Sequence, residues 1–416
     1  MTATAAPQSS PPGSQGPAAG GIGTWFLAAG QTTGYATLNF SFAVLLTALT
    51  DPAHGTGIDR TLLAAGPTLG LILAAVLAPQ MGKLVDRGHG ATLLRYGPLV
   101  GALGLLLAAT AKASPALWIA GFLIVGLAEA TTQFETCFAL LTRRLGPGAR
   151  AAIIRVTLVA GFSSTLAFPL GDWLARQFGW QGALVGLALI AAGVTMPLNI
   201  AGTALIQRRT GRERPDPPDP AGAQSALRRA LAQSAFWRLA GVIGCIWMEH
   251  AMLVTFALPL LVSRGASHPI AVMLAAALGP AQVAGRVMLM LAGHDLKLAP
   301  VTLWVMAGFV LASLLLFVGH GVPTLWLLYA LIQGASAGVA TILRPLLAAE
   351  ILGREGFGAV WGALSVAPLM AQALAPVVGA LLLGLGGGAV VLASLGLAAV
   401  ALTLSWSLRA KMQPQP

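Results

Sequence analysis

The chain has 416 residues, of which 56% are hydrophobic and 9% charged, and its mean hydropathy is +0.81. A soluble domain carries about a quarter charged residues, so this composition excludes a water-soluble enzyme. The formal net charge of +11 does not indicate a nucleic-acid partner, because the Lys and Arg residues fall between apolar runs and form no single basic face.

Apolar segments long enough to cross a bilayer follow one another along the chain. A hydrocarbon core about 30 Å thick needs about 20 apolar residues for each helical crossing. The predicted helices span 25–49, 58–79, 93–111, 116–141, 151–170 and 181–206, then 236–262, 269–292, 299–318, 323–349, 357–383 and 389–408. We therefore predict an all-α membrane protein with twelve transmembrane helices in two pseudo-symmetric six-helix bundles.

Polar sequence flanks and separates the two bundles. Residues 1–23 are rich in Pro, Ser, Gly and Ala and contain no Lys or Arg, which predicts a disordered cytoplasmic tail. We predict an N-terminal bundle over 24–206, a basic, Pro-rich cytoplasmic linker over 207–235, a C-terminal bundle over 236–408 and a second cytoplasmic tail over 409–416.

An internal repeat supports the division into halves. Trp118 and Gly126 in helix four are matched at the same spacing by Trp326 and Gly334 in helix ten. Matched halves in a twelve-helix protein are typical of transporters that bind substrate between the halves, near the middle of the bilayer.

The distribution of basic residues predicts the orientation. If the N-terminus is cytoplasmic, all but four of the 24 Lys and Arg residues fall on the cytoplasmic side. The exceptions are Arg60, Lys112, Arg176 and Arg264. The positive-inside rule then places both termini in the cytoplasm.

The loop after helix two carries a recognisable motif. It reads GKLVDRGHG from Gly82 to Gly90, which resembles the GxLxDRxG signature of the major facilitator superfamily, although His89 stands where the signature has its second glycine. The resemblance implies a gating loop, formed here by Gly82, Leu84, Asp86 and Arg87. In such a loop Asp86 would contact Arg87 and a helix end of the other half, while Gly82 would allow close backbone approach.

The family layout fits residues 25–408 and implies a secondary transporter whose halves rock about a central cavity lined by helices one, four, seven and ten. Stretches beginning at Phe134, Val156 and Gly179 resemble a bacterial monocarboxylate-transporter-like subgroup, whereas helix five lacks the glycine pattern of drug/proton antiporters. We accordingly expect a monomer in a bacterial inner membrane that interacts with lipid, protons and a small-molecule substrate, with no cofactor and no nucleic acid.

Ionisable residues inside the predicted helices are candidate site residues, because a charge in hydrocarbon costs roughly 2.5–3.5 kcal/mol on insertion scales. Arg344 in helix ten and Glu135 in helix four are the pair we expect to face each other across the cavity, since the repeat aligns Glu135 with the neighbour of Arg344. We expect Arg344 to bind either an anionic substrate or Glu135, with protonation of Glu135 switching between the two.

Other residues are weaker candidates. Glu129, Glu135 and Glu249 are predicted proton-coupling carboxyls, although on a continuous helix Glu129 and Glu135 would point about 120° apart. Four polar residues of helices one and seven could bind substrate or simply join helices: Tyr35, Asn39, Gln31 and His250.

Helix seven also carries two methionines four residues apart. Met248 and Met252 would share one helical face, and thioethers suit Cu(I), which leaves copper import as a minority hypothesis beside ordinary packing.

The sequence contains no Walker A motif, HExxH or GxSxG in a plausible setting, so we predict no enzymatic activity and no ATP-driven pumping. The leading prediction is proton-coupled transport of a small organic anion. Proton-driven drug or metabolite efflux, copper import and a non-transporting sensor stay open as alternatives.

Overall fold

A computed structural model describes residues 21–145, 149–210, 220–291, 297–353 and 357–412, and these residues form helices joined by short loops. Residues 1–20 and 413–416 of the predicted tails, and residues 211–219 of the predicted linker, lie outside the described residues. We number the membrane-crossing helices α1 to α12. Their bounds are α1 Ile22–Leu49, α2 Arg60–Leu84, α3 Gly90–Ala109, α4 Pro115–Leu145, α5 149–178, α6 180–210, α7 Ser234–Thr255 with Ala257–Ser263, α8 His268–Leu291, α9 Leu298–Val318, α10 Pro323–Leu352, α11 Phe357–Leu364 with Val366–Gly384, and α12 Gly387–Leu408.

The described helices make twelve membrane crossings. Ten segments are long and apolar enough to span a bilayer, and α7 adds an eleventh as a bent helix. One of the ten covers Ala151–Thr210, which at 60 residues is too long for a single crossing. It is interrupted at Gly179, whose φ of 67° and ψ of 178° are not helical, so its two arms are α5 and α6. The predicted all-α, two-bundle fold class is confirmed.

The glycines of the sequence repeat have the same structural role in both halves, whereas the tryptophans bond different partners. The buried Trp118 indole donates to the Leu63 carbonyl at 2.7 Å, and the buried Trp326 indole donates to the Gly319 carbonyl at 2.5 Å. Gly126 lets α4 approach α2 closely, just as Gly334 lets α10 approach α8. Each half therefore contains the same tight helix pair.

The two halves are packed together at one side of the membrane and separate at the other. We call the side with the ends of α6 and α12 the terminal side, and the opposite side the far side. One continuous buried apolar cluster joins both halves on the far side, including Phe42, Phe168, Phe256 and Tyr329. The described terminal-side residues instead form two separate apolar clusters, one in each half. The apolar packing that joins the halves on the far side is therefore not continued on the terminal side, as expected for a cleft that opens toward that side.

Several crossing helices are interrupted. In α1 a π-helical turn covers Tyr35–Asn39, and α7 bends by 69° at Phe256. In α4 the helix stops at Thr132 and restarts at Phe134, because Gln133 has an extended ψ of −173°. Apolar composition predicts a continuous helix for each of these segments, because it does not reveal a break.

Helical structure also extends into the segment that the sequence analysis assigned to the linker. Helix α6 continues beyond residue 206 and ends at Thr210. A separate linker helix, Pro220–Leu231, packs against the first segment of α11. At the N-terminus the helix begins at Ile22, one turn earlier than predicted. Some helix ends therefore lie a few residues away from the ends of the predicted crossings.

Candidate functional site

The Arg344 guanidinium lies in the cleft between two tryptophan rings. Its central carbon is 5.3 Å from the ring centre of Trp247 on α7 and 4.6 Å from that of Trp361 on α11. Within the described residues Arg344 has no protein hydrogen bond, and its side chain is half-buried. Aromatic faces attract the guanidinium without using its N–H groups, so these groups stay available to a ligand.

The N-terminal half presents an aromatic and acidic surface to this cation. The Tyr35 ring on α1 packs against Phe134 on α4 with ring centres 4.5 Å apart, and Phe134 stacks on Phe138 at 5.0 Å. Glu135 is exposed beside them. Glu135 and Tyr35 both lie close enough to Arg344 to interact with it electrostatically. Arg344 and Glu135, the predicted pair, are thus within electrostatic range of each other, and no ion pair joins them among the described residues.

The break in α4 determines where its two acidic residues point. Gln31 on α1 donates to the carbonyl of Thr132 at 2.6 Å, and the Thr136 hydroxyl donates to the Ala130 carbonyl at 2.9 Å. These bonds satisfy carbonyls that the helix leaves open at the break. The 120° separation expected for Glu129 and Glu135 does not apply, because no continuous helix connects them.

Glu129 is buried between α1 and α4. Its carboxyl accepts a hydrogen bond from the Asn39 amide at 3.2 Å, and its exposed fraction is 7%. Asn39 is therefore bonded to a neighbouring helix, as Gln31 is.

Glu249 belongs to a polar cluster inside the C-terminal half. Its fully buried carboxyl accepts hydrogen bonds from Ser313 on α9 at 3.1 Å and from Gln333 on α10 at 2.9 Å. The same Gln333 amide lies 3.4 Å from Nδ1 of His250. Sequence reasoning missed Gln333 and Ser313, although a glutamine in an apolar helix is a signal that could have identified the first.

The predicted methionine pair takes part in packing. Met252 is fully buried in the far-side apolar cluster, and Met248 packs against that cluster. Among the described His, Cys, Asp and Glu residues no group of three could hold a metal ion. Packing accounts for both methionines.

The predicted gating motif begins in the last turn of α2, which carries Gly82 and Leu84, and continues into a π-helical turn, Val85–His89, where Gly88 has a φ of 87°. The turn packs against α2, α3 and α4, all within the N-terminal half. A Cβ atom at Gly82 would meet nothing within 4 Å, so the close backbone approach expected there is not made in this conformation. Leu84 is half-buried and Arg87 is exposed, while the Asp86 side chain lies outside the described part of the structure.

Helices α5 and α8 connect the halves through polar contacts. On the far side, Nε2 of His268 is 2.5 Å from the Asp172 carboxylate, which also pairs with Arg176 at 2.9 Å. Nearer the terminal side, the buried Arg286 guanidinium donates to the Thr157 carbonyl of α5. Charge counting assigned Arg286 to topology, but its side chain joins helices of the two halves.

Two pseudo-symmetric six-helix halves around a central, one-sided cleft define a polytopic membrane protein of the transporter class. The family model of the Major Facilitator Superfamily matches residues 25–296, and the chain belongs to this family. It is a membrane transporter that works by alternating access, and not an enzyme.

Solved structures share the fold over nearly the full length. A bacterial homologue of the human lysosomal transporter Spinster, in an inward-facing and unoccupied conformation, superposes with a TM-score of 0.65 at 14% identity, covering 95% of this chain and 99% of that chain. The same homologue in an inward-facing and occupied conformation gives a TM-score of 0.63 at 14% identity, with 94% and 98% covered. A search of curated proteins gives no match.

Proposed function

We propose that this chain moves a small organic anion together with protons across a bacterial inner membrane. The terminal side faces the cytoplasm in this proposal, because Arg60, Lys112, Arg176 and Arg264 all lie at far-side helix ends while most other Lys and Arg residues lie on the terminal side. The cleft is then open to the cytoplasm, and one monomer, with bundles near 24–206 and 236–408, suffices for transport.

The environment of Arg344 carries the proposal. A cation in a membrane cleft needs a compensating negative charge, and the N–H groups of Arg344 have no protein acceptor among the described residues. A carboxylate matches the planar fork of a guanidinium with two parallel hydrogen bonds. The tryptophans at its faces favour a ligand that approaches the free edge and carries an apolar part.

Glu135 supplies the coupling to protons. Its carboxylate and a substrate carboxylate would both be attracted to Arg344, so they compete for one cation. Protonation of Glu135 removes the competitor and favours anion binding, whereas proton release favours anion release. Glu129 and Glu249, with His250 beside Gln333, are further proton-coupling candidates within the two halves.

Ligand-induced thermal stabilisation of the purified protein tests the proposal. A specific ligand raises the unfolding temperature by mass action. We expect carboxylates to stabilise the wild type but not Arg344→Ala. The control variant is Arg238→Ala, which removes an arginine outside the cleft and should be stabilised like the wild type. Equal stabilisation of wild type and Arg344→Ala by carboxylates would contradict anion binding at Arg344.

Efflux of lipophilic cations is the second candidate, favoured by one observation. The packed rings of Tyr35, Phe134 and Phe138 beside the exposed Glu135 form a surface suited to an aromatic cation. Stabilisation by lipophilic cations that is lost in Glu135→Gln and kept in Arg344→Ala would support this alternative.

A further inference from the structure

A crevice opens on the outer surface of the C-terminal half, between α9 and α12 near their terminal-side ends. Its volume is about 590 Å³, which lies within the range of about 300–1,000 Å³ of ligand pockets. The residues that line it are Pro300, Leu303, Trp304, Ala307, Leu402, Thr403 and Trp406. Apart from the Thr403 hydroxyl and the Trp indole N–H groups, these side chains are apolar, so the crevice suits a hydrocarbon chain.

The level of the crevice matches the boundary between hydrocarbon and headgroups. Trp304 and Trp406 are 78% and 55% exposed, and α12 ends two residues after Trp406. Tryptophan is enriched at this boundary, where the ring contacts hydrocarbon and the indole N–H contacts water. The part of the crevice farther from the terminal side is therefore at the depth of the lipid acyl chains. Its end nearest the terminal side is at the depth of the lipid phosphates.

Basic residues stand close in sequence to the lining residues on both walls of the crevice. The Arg409 guanidinium lies 4.2 Å from the centre of the Trp406 ring. Lys411 follows in the same short 3-10 segment, Arg409–Met412, which packs against α9, α10 and α12. Exposed Lys297 precedes α9, three residues before Pro300. The sequences of both walls, 297–318 and 387–412, contain no Asp or Glu. These positive charges therefore have no acidic partner on their own helices.

We propose that this crevice binds an anionic glycerophospholipid, with one acyl chain between α9 and α12 and the phosphate at Arg409, Lys411 and Lys297. Three features must coincide in the occupant: an apolar chain, a negative charge and a position at the membrane boundary. A lipid with an anionic headgroup has all three, and clustered Lys and Arg residues next to a membrane helix attract such lipids. A zwitterionic lipid fits the crevice but leaves the cationic mouth uncompensated.

Bound lipid would support the C-terminal half from outside. Helix α12 packs against α7, and α9 packs against α10, the helices that carry Trp247 and Arg344. A lipid wedged between α9 and α12 fills the space behind these two helices. The proposal stands apart from anion transport, since the crevice is on the outer surface and shares no residue with the cleft.

Native mass spectrometry and thermal unfolding of the full-length protein in detergent test the site. Phosphatidylglycerol, phosphatidylcholine and inorganic phosphate are added in parallel to wild type and to the double variant Arg409→Ala/Lys411→Ala. The matched control is Arg208→Ala/Arg228→Ala, which removes two exposed arginines of the same side away from the crevice. A third variant, Ala307→Phe, fills the crevice and leaves the basic residues beside it unchanged. If Ala307→Phe does not fold, Thr403→Phe is used as the crevice-filling variant instead.

We expect phosphatidylglycerol to stay bound to wild type and to raise its unfolding temperature more than phosphatidylcholine does. That additional shift should disappear in Arg409→Ala/Lys411→Ala and in the crevice-filling variant, and should persist in Arg208→Ala/Arg228→Ala. Equal shifts with both lipids, the same shift with phosphate alone, or an unchanged response of either crevice variant would overturn the proposal.

Discussion

The two tryptophans around Arg344 determine how its charge is presented. The contacts with the two ring faces restrain the position of the guanidinium without using its N–H groups. A cation–π contact is worth about 0.5–2 kcal/mol, depending on how far the pair is desolvated. The tryptophans therefore orient Arg344 for an incoming carboxylate without neutralising it.

Trp361→Leu tests this orientation. Removing the closer ring should weaken anion binding by roughly fivefold, the equivalent of about 1 kcal/mol, while the maximal rate changes less. The measurement is the substrate dependence of uptake. Trp237→Leu, an exposed tryptophan at the start of α7, is the control and should behave as wild type. An unchanged affinity in Trp361→Leu would show that the ring does not position Arg344.

Glu135→Gln tests the competition for Arg344. The amide resembles the protonated acid, so anion binding should be strong and should no longer improve as the pH falls. Isothermal titration at several pH values measures this, with Glu350→Gln, an exposed acid later on α10, as control. If binding to Glu135→Gln follows the same pH profile as wild type, Glu135 is not the competing group.

At the scale of helices, glycine determines which pairs pack most closely. A Cβ atom at Gly126 would lie 2.1 Å from the backbone oxygen of Gly70, so α4 and α2 are in backbone contact there. Close approach through small residues replaces the hydrophobic driving force that helices lack in lipid.

Gly126→Ala should therefore destabilise the N-terminal half, because the backbone of Gly70 cannot move aside as a flexible side chain would. Overpacking costs about 1–3 kcal/mol, which should appear as a lower unfolding temperature. Gly193→Ala is the matched control, since no atom lies within 4 Å of its added Cβ. Equal unfolding temperatures for the two variants would contradict the importance of this contact.

The helices themselves could be predicted from the sequence, but their interruptions could not. Long apolar runs and the Trp118/Trp326 repeat fix the number and pairing of crossings, because the bilayer imposes helix length. The break at Gln133 depends on partners such as Gln31, which lies 101 residues away along the chain. In the sequence Trp247 and Trp361 cannot be distinguished from packing residues, because their contacts with Arg344 depend on the packing of three different helices.

At the scale of the whole molecule, the far side is closed by apolar packing and by the contact between Asp172 and His268. These residues belong to different halves, on α5 and α8. Opening the far side during the transport cycle must separate parts of this surface. Arg176 shares the same carboxylate, so the contact joins one acid to a base on each half.

Asp172→Asn should shift the population toward the far-side-open state, since the amide loses the charge that holds His268. Spin labels at Thr50→Cys and Ser267→Cys, with Cys137 and Cys245 replaced, report the distance between the halves on that side. We expect a larger fraction of long distances than with Asp172 intact. Asp51→Asn, which removes a far-side loop charge, is the control. Identical distance distributions would mean that apolar packing alone keeps the far side closed.

Proton movement driven by a substrate gradient tests the central claim most directly. The protein is reconstituted in liposomes with a trapped pH indicator, and a carboxylate that stabilises the purified protein is added outside without any imposed pH difference. We predict that the internal pH changes with wild type and stays constant with Arg344→Gln. Carboxylate uptake without proton movement, or equal proton movement with Arg344→Gln, would contradict proton-coupled anion transport at Arg344.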